Sequence, residues 1–457
     1  MMPNKQRLLT LALASWLAAP AIAQEGLVEI YQRAVQNDPA VREAEARYLA
    51  AAEVKPQARS NLLPDLNLSA GRSHTFRETP TGAVDPTTGL VIGTSSEFTN
   101  DTNNWSIGLS QTLFNWGQYA TLKQADKQVA RAETDYEVAK QDLVVRVADT
   151  YFNVLAAEDN LASAVAAREA IARQLEQAQR RFEVGLIAIT DVQQSQAGYD
   201  DSIAVEINAQ RLLATANELL REIVGELITE LQGPTDNLPL LSPDPANAEQ
   251  WVMTALDQNL ALTSSRIAAD IAGDDIAIQR AGRLPTLSLS ASYGESVTDQ
   301  LVRLSGTFGS PTTSEPQSMN WALDLRFPIY TGGYNRSRIQ QSVYTHRAAT
   351  EALERVARQT ERQTRDAYLG VISEISRVRA LRQSVESNRT ALRATEAGFE
   401  VGTQTTVDVL ASQNNLRSAE TTYSRSRYNY MMNVLKLKQA AGNLSIADVE
   451  QIDSWLQ

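Results

Sequence analysis

One phrase occurs twice in this chain at a fixed distance. Phe182-Glu183-Val184-Gly185, followed by Asp191-Val192, recurs as Phe399-Glu400-Val401-Gly402 followed by Asp408-Val409. The offset of 217 positions also matches Tyr151 to Tyr368, Gln196 to Gln413 and Gly225 to Gly442. A duplication this long means two similar halves that each build the same physical unit. It divides the mature chain into a first repeat at 24–233, a linker at 234–250, a second repeat at 251–442 and a C-terminal segment at 443–457. Each repeat is predicted to hold a short helix, two strands and a helical hairpin.

Residues 118–184 contain neither glycine nor proline and are rich in Ala, Gln, Glu, Arg and Leu, all strong helix formers. A helix of that span is about 100 Å long, far beyond a globular domain, so it belongs to an extended coiled assembly. Ile171, Leu175, Ala178 and Phe182 step by four, three and four, as do Leu381, Val385, Asn388, Leu392, Thr395 and Phe399 in the second copy. That is heptad spacing, with Asn388 and Thr395 marking a seam that partly meets water. Gly185 and Gly402 supply the left-handed residue that ends each long helix at a hairpin-tip turn. A second helix then runs from Thr190 or Thr406 to Gly225 or Gly442, roughly 50 Å. Short helices are expected at 40–59 and 262–282, the first kinked or cut short by Pro56.

Between the helices the period changes to two. Leu66, Leu68 and Ala70 alternate with Asn67, Ser69 and Gly71, and Leu287, Leu289, Ala291 and Tyr293 alternate with Ser288, Ser290 and Ser292. Trp105, Ile107 and Leu109 follow the same pattern, as do Trp321, Leu323, Leu325 and Phe327. These are strands of about ten residues with one apolar and one small polar face. The Gly-, Thr-, Ser- and Pro-rich stretches at 79–104 and 298–320 are predicted to be exposed loops. Four strands cannot close a membrane barrel, which needs at least eight. Either they form a small sheet on a soluble core, or several copies pool them. Trp105, Trp321 and Tyr293 near the ends of a band containing Leu68 and Leu289 fit a lipid-facing surface with aromatic girdles. The long helices favour pooling, because a soluble sheet gives them nothing to surround.

Lys5 and Arg7 precede an apolar run from Leu8 to Leu17, and Ala21-Ile22-Ala23 forms a small-residue cleavage site. Residues 1–23 are therefore predicted to be a signal peptide. Its removal leaves 40 basic against 54 acidic residues, a balance that excludes a nucleic-acid partner. There are no cysteines, so disulfides, thiolate metal sites and a lipidated cysteine are all excluded. The two histidines, His74 and His346, have no metal-ligand neighbours at useful spacing. No nucleophile elbow, phosphate loop or Ser–His–Asp arrangement is present, so no catalytic residue, cofactor or metal is expected.

The duplicated Phe-x-x-Gly-x-x-x-x-x-Asp-Val pattern, the strand starts Leu63-Pro64-Asp65-Leu66 and Leu284-Pro285-Thr286-Leu287, and Pro328-Ile329-Tyr330-x-Gly332-Gly333 resemble the TolC family of bacterial outer-membrane efflux proteins. The resemblance spans nearly the whole mature chain. It implies a homotrimer whose strands close one barrel of about twelve strands in outer-membrane lipid, with the helical hairpins forming a periplasmic α-barrel below. It implies an equatorial collar from 226–250 and 442–457. The implied partners are a periplasmic adaptor and an inner-membrane transporter, serving drug efflux and, in some members, type I protein secretion. The family's gate lies at the two tip turns. There Asp408 falls at a carboxylate ring in the narrowest part of the pore, where mutual repulsion favours cations and raises the apparent pKa. The second, deeper ring falls at Ala411 and is missing. Thr190 and Asp191 match acceptors that hold the tip shut, but their expected tyrosine and arginine partners are Phe399 and Gln404 here. Lacking a hydroxyl and a charge, these imply a lock that is weaker or differently built.

Simpler roles fit the same residues. Asp191 and Asp408 stand in the first turn of a helix, where a carboxylate caps free amides. Phe182 and Phe399 fit packing between helices, and Trp105 and Trp321 would be core residues in a soluble sheet. Two functions follow: a passive export conduit gated at its tip, or a periplasmic coiled-coil adaptor without a pore. The alternating strands favour the conduit, since an adaptor needs no lipid-facing band.

Overall fold

Proline-free, helix-forming sequence becomes unbroken helix, with Gly370 and Gly398 accommodated inside the second long helix. The computed structural model describes residues 25–456 apart from 229, 236, 305, 306 and 310; the predicted signal peptide lies outside the described residues. Helix α4, Trp116–Glu183, and helix α8, Tyr334–Glu400, have 68 and 67 residues. Their hairpin partners are α5, Ile189–Val224, and α9, Thr406–Ala441, of 36 residues each. Helix α1 spans Leu27–Asn37, α2 Pro39–Ala52, α3 Val54–Ser60, α6 Ala248–Gln258, α7 Leu260–Ala281 and α10 Ile446–Asp453. The helix expected at 40–59 breaks at Glu53, and Pro56 sits in the first turn of α3, where its missing N–H has no intrahelical partner to lose.

The chain divides into two compact units. Among the described residues the first comprises 25–48, 133–264 and 354–456. Its apolar core joins Leu27 and Ile30 of α1 and Leu143, Val147 and Tyr151 of α4 to Leu220 of α5, Trp251 of α6, Val371 of α8, Met431 and Leu435 of α9, and Ile452 of α10. Buried tyrosines tie the irregular chain between α5 and α6 to the helices. The Tyr151 hydroxyl lies 2.7 Å from the Gln232 carbonyl, and the Tyr430 hydroxyl accepts from the Leu241 amide at 2.8 Å. The Tyr428 hydroxyl donates to Asp159 at 2.7 Å; burial and the nearby Asp159 charge push its pKa up. Helix α1 carries a helical period in Leu27, Ile30, Tyr31 and Ala34 that the sequence expectations overlooked, whereas α6 and α10 are short and are fixed by packing into this core.

The second unit, residues 49–132 and 265–353, is built around one antiparallel sheet. Strand β1 is Asp65–Val84, β2 Val91–Phe114 and β3 Thr286–Leu304, and the return strand comes in three pieces, β4 Thr307–Phe308, β5 Thr312–Ser314 and β6 Gln317–Arg326, all paired with β3. The first strand of the second repeat pairs with the second strand of the first, which sets the order β1-β2-β3-β6. Strands β1 and β2 therefore continue through most of the segment expected to be loop at 79–104, and β3 does so from Thr298 to Leu304. The loop expectation weighed Gly and Pro content and missed the pairing chemistry. Threonine suits the pleat and pairs across strands, as Thr102 and Thr298 do at 3.2 Å. Pro80 is tolerated because β1 is an edge strand. The hairpin turn follows Asp85, whose carboxylate accepts from the Thr87 amide at 2.8 Å and the Thr88 hydroxyl at 2.7 Å.

Left-handed glycines end four helices, but their surroundings differ. Gly402 has φ 79° with open space around it, whereas a Cβ on Gly442, at φ 80°, would lie 2.3 Å from the Gln258 carbonyl oxygen. Gly402→Ala should cost about 1–2 kcal/mol, the left-handed penalty alone. Gly442→Ala should cost clearly more, because the chain at Gln258–Asn259 must move. Thermal unfolding of the two variants side by side tests this, and equal losses would refute it.

Candidate functional site

The sheet separates two chemistries by alternation. On one face Leu66, Leu68 and Ala70 stand opposite Leu109, Ile107 and Trp105, continuing across β3 as Ala291, Tyr293 and Glu295. Strand β6 adds Leu325, Leu323, Trp321 and Met319 opposite Leu287, Leu289, Ala291 and Tyr293. This face is exposed: Leu68 and Trp321 each keep 72% of their surface. Leu289 is half-buried between Gln111 and Leu323. Trp105 and Tyr293 meet edge to face at 5.8 Å, and the Trp105 indole N–H donates to Glu295 at 3.4 Å, so the aromatic pair lies where the apolar band turns polar. The opposite face carries Asn67, Ser69, Ser106, Gly108, Ser290, Ser292 and Asn320, with the Ser69 and Ser106 hydroxyls 2.8 Å apart. A single chain thus presents an apolar surface on one face of the sheet and a small, polar surface on the other. Among the described residues no helix is long and apolar enough to cross a membrane.

At the other functional region, α4 turns into α5 at Gly185 and α8 into α9 at Gly402, with φ of 78° and 79°. The Asp408 carboxylate accepts from the Thr405 amide at 2.8 Å and hydroxyl at 2.6 Å, while the Asp408 amide donates back to the Thr405 hydroxyl at 3.3 Å. This reciprocal cap starts α9. The first copy makes only half of it. Asp191 accepts from the Ala188 amide at 3.3 Å, but Ala188 has no hydroxyl to return the bond. In the single chain the Thr405 hydroxyl and amide hold the Asp408 carboxyl below its usual range, opposite to the rise expected from a carboxylate ring, because that repulsion requires other copies.

The other tip residues are not brought together as a lock. Thr190 and Asp191 make no hydrogen bond to Phe399 or Gln404 within the chain. Gln404 instead lies back against Gly398, where an added Cβ would stand 2.7 Å from its Cγ. Phe399 meets Arg181, whose guanidinium sits 5.1 Å from the ring centroid and donates to the Phe399 carbonyl at 3.4 Å and the Glu400 carbonyl at 3.0 Å. Arg181 was missed as a functional residue. Its one sequence signal was the failure of the repeat there, since the 217-residue offset lands on Gly398. The expected polar seam is present: the Thr395 and Ser412 hydroxyls are 3.2 Å apart and Asn388 donates to the Ser384 carbonyl at 2.9 Å. Among the described residues no cluster of metal-binding side chains occurs. His74 instead faces Asp101 across strands at 2.8 Å, a neighbour sequence spacing could not show.

The sequence pattern of the family described as "Outer membrane efflux protein" matches residues 30–226 and again 251–443. The chain is 36% identical to the outer membrane protein TolC of Vibrio cholerae over 441 residues, covering 96% of this chain and 95% of that protein. It is 35% identical to TolC of Escherichia coli over 94% of this chain and 85% of the relative. The alkaline protease secretion protein AprF of Pseudomonas aeruginosa is 28% identical, covering 93% and 86% respectively. The fold is shared with the Campylobacter jejuni CmeC outer membrane channel at a TM-score of 0.72 and 17% identity, covering 95% of this chain and 91% of that one. The chain belongs to the outer membrane efflux protein family. It is an outer-membrane export channel that projects into the periplasm.

Asp408's depressed pKa makes its cap pH-dependent. The stabilisation is present above the unfolded value near pH ~4 and is lost as pH falls through the folded value. Wild type should therefore unfold at a higher temperature than Asp408→Asn at neutral pH, with the gap closing in acid. Thr405→Val should flatten that dependence. A gap that is constant across the pH series would contradict the cap.

Proposed function

We propose that three copies of this chain pool their sheets into one barrel of about twelve strands, and that their helical hairpins enclose a passive conduit across the periplasm. The observation that carries this reading is a sheet with lipid-compatible and water-compatible faces and no partner for either edge strand among the described residues. Two copies would reach eight strands, but a barrel that small is just filled by side chains. Three give a lumen lined by Ser, Asn and Gly that stays open. The exposed apolar face also weighs against the pore-free adaptor, which has no lipid to meet.

The conduit opens at its tips, where the turns at Gly185 and Gly402 and the capping carboxylates Asp191 and Asp408 converge on the periplasmic end of the hairpins. Three Asp408 carboxylates around a narrow opening favour cations. Transport through this passive conduit is driven by an inner-membrane transporter reached through a periplasmic adaptor. Cargo comprises small toxic compounds and drugs. The relatives named for TolC and for protease secretion support efflux and type I secretion as activities of the same conduit.

Purified protein should require detergent, migrate with the mass of three chains, and give cation-preferring conductance in planar bilayers. Asp408→Asn should cut the cation preference at least several-fold while leaving assembly intact. A monomer that stays in solution without detergent and conducts nothing would overturn the proposal.

A further inference from the structure

The two repeats part company one residue before their shared phrase. Arg181 in the first copy corresponds to Gly398 in the second. Arg181 leaves the last turn of α4 and crosses to the last turn of α8, where Nη1 and Nη2 donate to the carbonyls of Phe399 and Glu400 at 3.4 and 3.0 Å. The Phe399 carbonyl already accepts from the Gly402 amide at 3.2 Å, so the guanidinium adds a second bond there, reaches the Glu400 carbonyl as well, and meets the negative end of the helix dipole. The same group lies over the Phe399 ring at 5.1 Å. Gly398 completes the arrangement from the other side. Its missing side chain gives Gln404 room to fold back on α8, with the Thr403 amide donating to the Gly398 carbonyl at 2.9 Å.

We infer that Arg181 is the clasp that fastens the two tip turns of each chain together in the resting channel. The inference rests on the proposal that the tips form the gate. It answers how a tip with Phe399 and Gln404, which cannot pair with Thr190 and Asp191 through a hydroxyl and a charge, is held at all. One cation bridges two helix ends through backbone oxygens and a ring face, with no carboxylate involved. Opening requires breaking that bridge, and the second copy offers no reciprocal one because Gly398 has no side chain. The polar bridge is therefore one-sided, and it stands beside an apolar contact of Leu410 on Gly198.

The test uses the full-length protein in detergent and in planar bilayers. In Arg181→Ala, hydrogen exchange of the backbone amides at 398–404 should quicken by about ten-fold or more, with the core helices unchanged. Single-channel conductance should rise several-fold. Arg181→Lys should follow Arg181→Ala, since an ammonium cannot lie flat on Phe399 while bridging two carbonyls. Phe399→Leu should give an intermediate effect. Unchanged exchange at 398–404 in Arg181→Ala would overturn the clasp, and so would wild-type behaviour of Arg181→Lys. If exchange responds as expected but conductance is the same in wild type and variants, the clasp stands and the proposal that the tips form the gate fails.

Discussion

An unpaired strand edge is the constraint on which the rest of this molecule depends. The outer edge of β1 and the outer edge of β6 have no partner among the described residues, although the strands between them are paired on both sides over most of their length. In water such edges invite aggregation, and in lipid each unsatisfied backbone group costs several kcal/mol. The exposed leucines and tryptophans on one face exclude a stable home in water. Closure with further copies resolves both problems at once. It also explains why the face opposite the leucines can be built from Ser, Asn and Gly, residues that no protein core would select.

The helical unit meets a different difficulty. Long helices with many charged and polar residues have little apolar stripe to bury, so propensity alone does not fix their neighbours. The apolar residues are instead concentrated in one core that gathers α1, α6 and α10 around α4, α8 and α9. Hydroxyls of Tyr151 and Tyr430 secure the irregular segment between α5 and α6, and that of Tyr428 ties α9 to Asp159 of α4. Toward the tips the packing becomes polar, as at Thr395 with Ser412. A structure anchored in its middle and held lightly at its ends suits an element whose ends must move.

Long-range order was legible in the sequence and short-range partnership was not. The 217-residue repeat, the helix lengths and the alternating strands all follow from periodicities that survive in a single sequence, because backbone geometry imposes them. The extensions of β1, β2 and β3 were misjudged because Thr and Ser in a ladder look like Thr and Ser in a loop until the facing strand is known. Helices α6 and α10 are short, and tertiary packing decides them. At the tips, Asp191 and Asp408 were legible as caps, but the Thr405 contribution and the Arg181 crossing were not. Each depends on which atoms meet in space, and Gln404 folding against Gly398 could be seen only from the structure.

Duplication explains the scaffold, and departures from it mark where the halves have taken separate tasks. The elbow between α1 and α2 holds Asp38 against Arg146 at 3.0 Å, while the matching elbow between α6 and α7 uses Asn259, with Gln363 in the place of the arginine. One half thus carries an ion pair where the other has two neutral amides at the matching positions. The tips differ in the same way: Thr405 completes a cap that Ala188 cannot, and Arg181 reaches across where Gly398 has nothing to extend. A backbone repeated twice gives both hairpins the same length and the same turn. Chemically unequal tips thus stand on matching backbones.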